Sequence, residues 1–561
     1  MKHLKTIAAA FLAISMAGCS QDQVGPDTPT PPEDGIYSSI KLKMPTTRSG
    51  EKNESTETGK DYENNVGSIL VILATQDSET DPSYKFLTFA INDAPLTGTA
   101  NSTHKIVFQD KETLFKHAGE NVYVFAYCNP NPALVKKVAG TFANGAYTGG
   151  LEAGADFTDE ICPDLSGDVS SIWDRNGFLM TSVKVTHQQL GTEEQLKGCT
   201  TPDKAFDLGQ VEVVRAASRF DFRDASPEGT DAYTYEVRDE DKTDKPLVAN
   251  ITLTRMAMVN QRNQFYYLPR TSTTEVEAAS RTVTLCPGFF GMEDNHVLSP
   301  QTEATFTDKL PAKLTPGSDN GLTWTTMEQL AANDEDSDSG PEVTENSDSS
   351  DSWGNSDKFK EGYHIWRYTT ENTWNVIPPT NGSITSPDNS TSITTGFVFE
   401  AEIKPEVPAG SDFKNGTDIM YCFNNRLFLN DKALYDAVKN TPVSTLATAF
   451  YNAFNVAEDG SVTPKSDAEV EKEGFTIYKP TDGKYLCYYF GFNRHKDDNQ
   501  VYTTGDMEFA TVRNNVYKLA VTNIKQFGTF TPPTDVEEWD TYFQLEVLAR
   551  PWVVRVNDFE F

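Results

Sequence analysis

Between Ile36 and Met44 the chain alternates. Ile36, Ser38, Ile40, Leu42 and Met44 fall on one side, and Tyr37, Ser39, Lys41 and Lys43 on the other. A period of two places successive side chains on opposite faces, so this segment predicts a half-buried β-strand. Similar signals recur along the chain. Ser68 to Leu73 is continuously apolar, as a strand covered on both faces should be. Asn121 to Tyr127 is another apolar run, stopped by Asn129-Pro130. Phe178 to Ser182 and Val211 to Phe222 continue the pattern, and Leu247 to Leu253, Gln264 to Leu268, Gly396 to Ile403, Tyr485 to Phe492 and a group from Val512 onward follow. Helical spacing is rare. The best cases are Asp431 to Asn440 and Val443 to Phe454, where Leu446, Phe450 and Phe454 share a face. Many short strands with few helices predict an all-β chain of sandwich domains.

A length of 561 residues suits several domains at roughly 150 residues each. Residues 225–246 are polar and turn-rich, and place a boundary between an N-terminal sandwich at 49–235 and a C-terminal one at 236–561. Residues 50–65 read as an exposed loop. The run 333–352 is low in complexity and acidic. Asp334, Asp336, Asp338 and Glu345 follow the 1, 3, 5, 12 spacing of an EF-hand loop, but Ser339 holds the sixth position, Gly340 comes one place late, and Pro341 follows. A solvated acidic insert is the reading, with no metal assigned.

The start of the chain has a different character. A basic beginning (Lys2, His3, Lys5) precedes an apolar stretch too short to span a bilayer, which ends in Ala17-Gly18-Cys19 and then turns polar. Residues 1–19 therefore predict a lipoprotein signal with Cys19 as the lipidated residue, or an ordinary secretory signal with an incidental cysteine. Residues 20–35, rich in Pro and Asp, predict a flexible tether. The six other cysteines (Cys128, Cys162, Cys199, Cys286, Cys422, Cys487) are scattered, and both disulfides and buried free thiols fit their spacing.

Acidic residues outnumber basic ones 82 to 48, a net charge of -34 that opposes binding to nucleic acid or anionic headgroups. No catalytic constellation stands out. No two of the seven histidines are three or four residues apart, and there is neither a G-x-S-x-G elbow nor a Walker A loop. The chain is expected to be no enzyme and to need no cofactor.

Three C-terminal stretches carry a resemblance. They are Tyr485 to His495 (YLCYYFGFNRH), Gly505 to Lys525 with Val512-Arg513-Asn514-Asn515-Val516-Tyr517, and Leu548 to Val556 with Pro551-Trp552. They resemble the fimbrillins, the type V pilus subunits of Bacteroidetes, most closely the stalk subunit of the short (minor) fimbria. Leu42 to Arg48, Asn121 to Tyr127, Phe178 to Ser182, Val213 to Arg219 and Tyr368 to Thr373 agree in order. The likeness is loose between about 270 and 480 and does not extend to the acidic insert. The resemblance implies two tandem transthyretin-like β-sandwiches in a subunit exported as a lipoprotein to the outer membrane. It further implies an Arg-specific cut between Arg48 and Ser49 that removes the strand at 36–48. A groove once filled by Ile36, Ile40, Leu42 and Met44 would then accept a neighbour's C-terminal strand, residues 548–561. Trp552, Val554 and Val556 alternate there, and Phe559 and Phe561 extend the segment. The implied partners are copies of the chain, fimbrial anchor and tip subunits, and host or bacterial surface receptors, with membrane contact only through the precursor's lipid. A tip or anchor subunit, or a surface glycan-binding lipoprotein, are the rival readings.

Overall fold

The computed structural model of the protein describes residues 35–44, 57–78, 83–92, 101–156, 172–174, 177–240, 242–273, 283–288, 295–300, 306–332, 363–373, 393–441, 443–495, 507–534 and 543–553. The fold is all-β with a few short helices, as the alternating patterns predict. The readings that rest on Cys19, the 20–35 tether, Arg48, Ser49, Cys162, the 333–352 insert and residues 554–561 lie outside the described residues.

The first unit is one curled eight-stranded sheet. Its strands are β1 (Ile36–Lys43), β2 (Ile69–Thr75), β3 (Lys85–Asn92), β4 (Thr103–Phe108), β5 (Asn121–Cys128), β6 (Met180–Ser182), β7 (Thr186–Gln189) and β8 (Phe206–Arg215). They lie in the order β3-β2-β5-β6-β8-β1-β4, with β7 also on β5. The two end strands approach each other, and the Asn92 side chain donates to the Lys105 carbonyl at 3.1 Å. Ile69, Val71 and Leu73 of β2 enter the interior with Val122 and Val124 of β5. Leu70, Ile72 and Phe125 enter a second core on the outer face, closed by Phe265, Tyr267 and Leu268. That double cover is why the 68–73 run is apolar throughout.

The second unit is a sandwich of two sheets. One contains β9 (Ser218–Arg223), β12 (His364–Thr369), β15 (Asn515–Ile524) and β16 (Phe543–Val553) in the order β16-β15-β9-β12. The other contains β10 (Thr234–Arg238), β11 (Leu247–Val259), β13 (Gly396–Pro405) and β14 (Tyr485–Phe492) in chain order. Aromatic rings fill the space between them. Phe220 stacks on Tyr517 at 4.7 Å and meets Phe397 at 5.7 Å, and Phe222 meets Phe399 at 5.7 Å. Gly491 lets β16 come close, since a Cβ there would stand 2.6 Å from Leu545 Cδ2. A small helical layer carries α3 (Asp431–Val438), α4 (Thr445–Ala453) and α5 (Asp467–Lys472), each opened by a side-chain cap from Asn430, Ser444 and Ser466. Phe450 is buried there, as the helical spacing predicts, Phe454 is buried as the first residue of the strand that follows α4, and Leu446 is only half-buried.

The structure corrects four sequence readings. The run Val211 to Phe222 looks like one strand, but β8 ends at Arg215 in the first sheet and β9 begins at Ser218 in the second unit. Periodicity reports burial and not which sheet buries a residue, so a strand passing between two cores reads as continuous. Thr234–Arg238 is a strand within the segment taken as a linker. Gln264 to Leu268 forms no strand and lies as a buried cover on the first sheet. Within 50–65, α1 (Asp61–Asn64) is no exposed loop, for Glu63 and Asn64 are buried.

Those two residues belong to a polar joint between the units. Glu63 accepts from Arg219 Nη1 at 3.1 Å and from the Tyr368 hydroxyl at 2.6 Å. Arg219 also grips Asp221 with Nε and Nη2, each at 2.9 Å. Burial, reinforced by the Glu63 charge, holds the Tyr368 phenol well above its ordinary range. Arg215, at the end of β8, donates through Nε to the Glu63 carbonyl at 2.9 Å, through Nη1 to Asn514 Oδ1 at 3.1 Å, and through Nη2 to Asn64. Burial lowers its guanidinium to about 9, against the opposing pull of Glu63. Asn514 has φ +56 and donates its amide to the Ala217 carbonyl at 2.8 Å. Beside it, Arg513 is fully buried, bonded to Glu371 at 2.6 Å and to the carbonyls of Tyr266 and Tyr267 at 2.5 and 2.9 Å.

Replacing one member of such a pair leaves the other charge buried and unmatched. Arg513→Ala is expected to lose about 3–5 kcal/mol of stability in guanidinium unfolding. A loss well under 1 kcal/mol would show that the joint carries little.

Candidate functional site

The strand β1 is short, yet it is enclosed on three sides. It runs parallel to β8, pairing Ser38 with Phe206 and Leu42 with Val211. It runs antiparallel to β4, pairing Ile36 with Phe108 and Ile40 with His104. The ladder to β8 slips between Ser39 and Lys41. The extra residue sits on β8, where Gly209 at φ +77 takes up the bulge. Further bonds fix the ends of β1. Tyr37 N–H donates to the Cys199 carbonyl at 2.9 Å, Leu42 N–H to the Ser102 carbonyl at 3.0 Å, and Met44 N–H to Asn101 Oδ1 at 2.9 Å.

Its side chains face two environments. Ile36, Ile40, Leu42 and Met44 are at most 2% exposed. They share the interior with Phe108, Val122, Val124, Leu208, Val211 and Val213. Lys41 and Lys43 point out to solvent. Burying the four apolar side chains stabilises the unit by roughly 6–12 kcal/mol, at about 1.5–3 kcal/mol each. The sequence placed these four residues on one face, and the structure brings them together. Ser38 shares that face, opposite Ile106, and is buried as well.

The other candidate element is the C-terminal strand. From Phe543 to Pro551, β16 pairs antiparallel with β15, ending at Pro551 opposite Asn515. Leu548 to Pro551, counted from sequence in the 548–561 segment, are therefore bonded within the chain's own sheet. Trp552 and Val553 run past the end of β15 and pair parallel with the two-residue strand Glu57–Thr58. The overhang begins at the joint, because Asn515 directly follows Arg513 and Asn514.

Cys128, Cys199, Cys286, Cys422 and Cys487 are buried free thiols. Burial raises Cys422 and Cys487 to about 12, so neither offers a thiolate at neutral pH. Among the described residues no group of three or more His, Cys, Asp and Glu could hold a metal ion, and no helix is long and apolar enough to cross a membrane.

Sequence reasoning quoted V-R-N-N-x-Y without giving its residues a task. In the structure Arg513 and Asn514 join the units, and Tyr517 Oη accepts from Val512 N–H at 2.9 Å and meets His495 Nδ1 at 2.9 Å. Adjacent asparagines were the available signal, since Asn tolerates the left-handed region and bonds local backbone. Asn131-Pro132 was a similar unread signal, for Asn131 caps α2 (Pro132–Val138) with proline at its first position.

If β1 is part of the precursor's core, truncating it should be felt there. Leu42→Ala is expected to cost the uncut chain about 2–5 kcal/mol by chemical unfolding.

Three comparisons bear on identity. No curated protein matches the chain. Among solved structures it is similar to a fimbrilin from Porphyromonas gingivalis W83 (12% identity, 94% of this chain and 100% of that chain covered, TM-score 0.38). It is also similar to the tip fimbrial protein of Porphyromonas gingivalis with a C-terminal truncation (10%, 92% and 100%, TM-score 0.33) and to a fimbrial assembly protein from Parabacteroides distasonis (11%, 52% and 85%, TM-score 0.23). These are loose likenesses. The sequence itself speaks more directly, because residues 483–558, which hold β14, β15 and β16, match the family model described as major fimbrial subunit protein type IV, fimbrillin, C-terminal.

Proposed function

We propose that the chain is a structural subunit of a cell-surface fimbria, a stalk subunit that polymerises by donor-strand exchange. The observation that carries this reading is the placement of β1. A single short strand supplies four large side chains to the core and covers two neighbouring strands, and a polar segment with Arg48 follows it. Cutting after Arg48 removes β1 and leaves β8 and β4 with unpaired edges beside an empty apolar trough. Such an edge is a template for another strand. The segment from Trp552 onward supplies one from a second copy, with Trp552, Val554 and Val556 on one face and Phe559 and Phe561 further on. The fimbrillin match over 483–558 supports a fimbrial role, and that family is structural and not enzymatic. Lipidation at Cys19 would carry the precursor to the outer membrane before the cut. In the fibre the partners would be further copies, anchor and tip subunits, and surface receptors.

Two variants test the reading. Arg48→Ala should yield soluble monomers that keep β1 and form no fibres. A chain lacking residues 552–561 should fold and be cut normally, yet remain monomeric in electron micrographs and on unboiled gels. Fibres of ordinary length from either variant would overturn the proposal.

A further inference from the structure

The pairing of Trp552 and Val553 with Glu57 and Thr58 bears on when the terminal segment becomes available. Pro551 has no N–H and stands opposite the first residue of β15, so the ladder between β15 and β16 stops there. The next two residues have their described partner on the other edge of β16, where Glu57 lies beside Trp552 and Thr58 beside Val553. A two-residue parallel pair is a weak structural element, and parallel pairing is weaker per residue than antiparallel. It is placed at the end of β16, at Trp552 and Val553.

The strand Glu57–Thr58 is held from two directions. Downstream, Asn64 Nδ2 donates to the Gly59 carbonyl at 3.3 Å and Lys60 N–H to Glu63 Oε2 at 2.5 Å. Glu63 is locked in the joint by Arg219 at 3.1 Å and Tyr368 at 2.6 Å. Upstream, the chain leads back to Met44, which is buried with β1 in the first core. A cut between Met44 and Glu57 removes the upstream hold only. The strand then belongs to an arm fixed at one end, and ordering it costs more conformational entropy than before.

We propose that Glu57–Thr58 is a latch, which keeps the departing segment of β16 on its own subunit until the chain is cut upstream. The inference rests on the donor-strand reading above and adds regulation to it. One cut then opens the groove and frees the donor. An uncut precursor is poor on both counts, so it neither accepts a strand nor caps a growing fibre with its own.

The test uses an acceptor that cannot donate, the cut chain without residues 552–561. Two uncut donors carry Arg48→Ala, and one of them also carries Glu57→Pro and Thr58→Pro, which together remove the backbone N–H that faces β16, whichever of the two residues bears it. Formation of the one-to-one complex is followed on native gels. The latch-broken donor should join the acceptor about tenfold faster than the latch-intact donor, several-fold being what the loss of one or two backbone bonds yields. Equal rates overturn the latch. If the cut full-length chain neither polymerises nor joins the acceptor, the donor-strand reading falls and the latch with it. If it does both while the two uncut donors join equally fast, only the latch falls. Amide hydrogen exchange on chains without proline substitutions gives a second reading, unaffected by any folding defect they cause. Of Trp552 and Val553, the one whose N–H faces Glu57–Thr58 should exchange slowly in the Arg48→Ala chain and quickly in the cut chain whose own groove is refilled by a peptide of residues 36–44, and identical rates would overturn the proposal.

Discussion

The arginine at position 513 holds the two units in one arrangement. A guanidinium in the interior costs several kcal/mol of lost hydration unless most of its hydrogens find acceptors. Arg513 finds one carboxylate and two carbonyls, and each comes from a different stretch of chain than its own. Glu371 lies just past β12 of the second sandwich, while Tyr266 and Tyr267 lie in the segment that covers the first sheet. The bond set is satisfied only when these stretches meet at Arg513. Asn514 repeats the logic one residue on. Its side chain takes Arg215 from the end of β8, and its amide reaches Ala217. Apolar contact alone tolerates sliding, whereas hydrogen-bonded charges fix register.

That joint links the two elements of the candidate site. The strand β8 forms one wall of the β1 groove and ends in Arg215. The strand β15 supports the terminal strand and begins right after Asn514. The neighbour of β1 and the partner of the terminal strand are therefore anchored to the same few residues from opposite sides. This is a statement about placement, and energetic coupling between the two would need a two-state element that both bias. What placement supplies is a fixed direction from the trough that β1 fills to the end of β16.

Much of this was legible in sequence. The alternation at 36–44 identified the apolar face of β1, whose residues are all buried, while on the other face Lys41 and Lys43 meet water but Ser39 is buried and Tyr37 half-buried. The 68–73 run announced a strand covered twice. Helix spacing found Phe450. The misreading of 50–65 has a clear cause. Glu63, Arg215, Arg219 and Arg513 are charged residues in the interior, and pattern reading assigns charge to the surface. Hence 50–65 was read as an exposed loop and the boundary was set at the most polar stretch. Inside one apolar run, at Ala216-Ala217, the chain passes from the first sheet to a strand of the second unit without a polar interval. Nothing local marks Glu57–Thr58 as a strand either, since its partner is at the far end of the chain.

The net charge of -34 bears on how such a chain can assemble. Like-charged copies repel, and at physiological salt the repulsion is screened beyond about 8 Å. Chance encounters between surfaces are thus disfavoured at close range, where short-range attraction would otherwise hold them. Only an interaction that buries substantial apolar area overcomes this. A trough vacated by four large side chains offers roughly 6–12 kcal/mol to a strand that refills it well. Smooth acidic surfaces offer nothing comparable. Charge and groove then divide the task, the first suppressing unspecific association and the second supplying one geometry in which association is favourable.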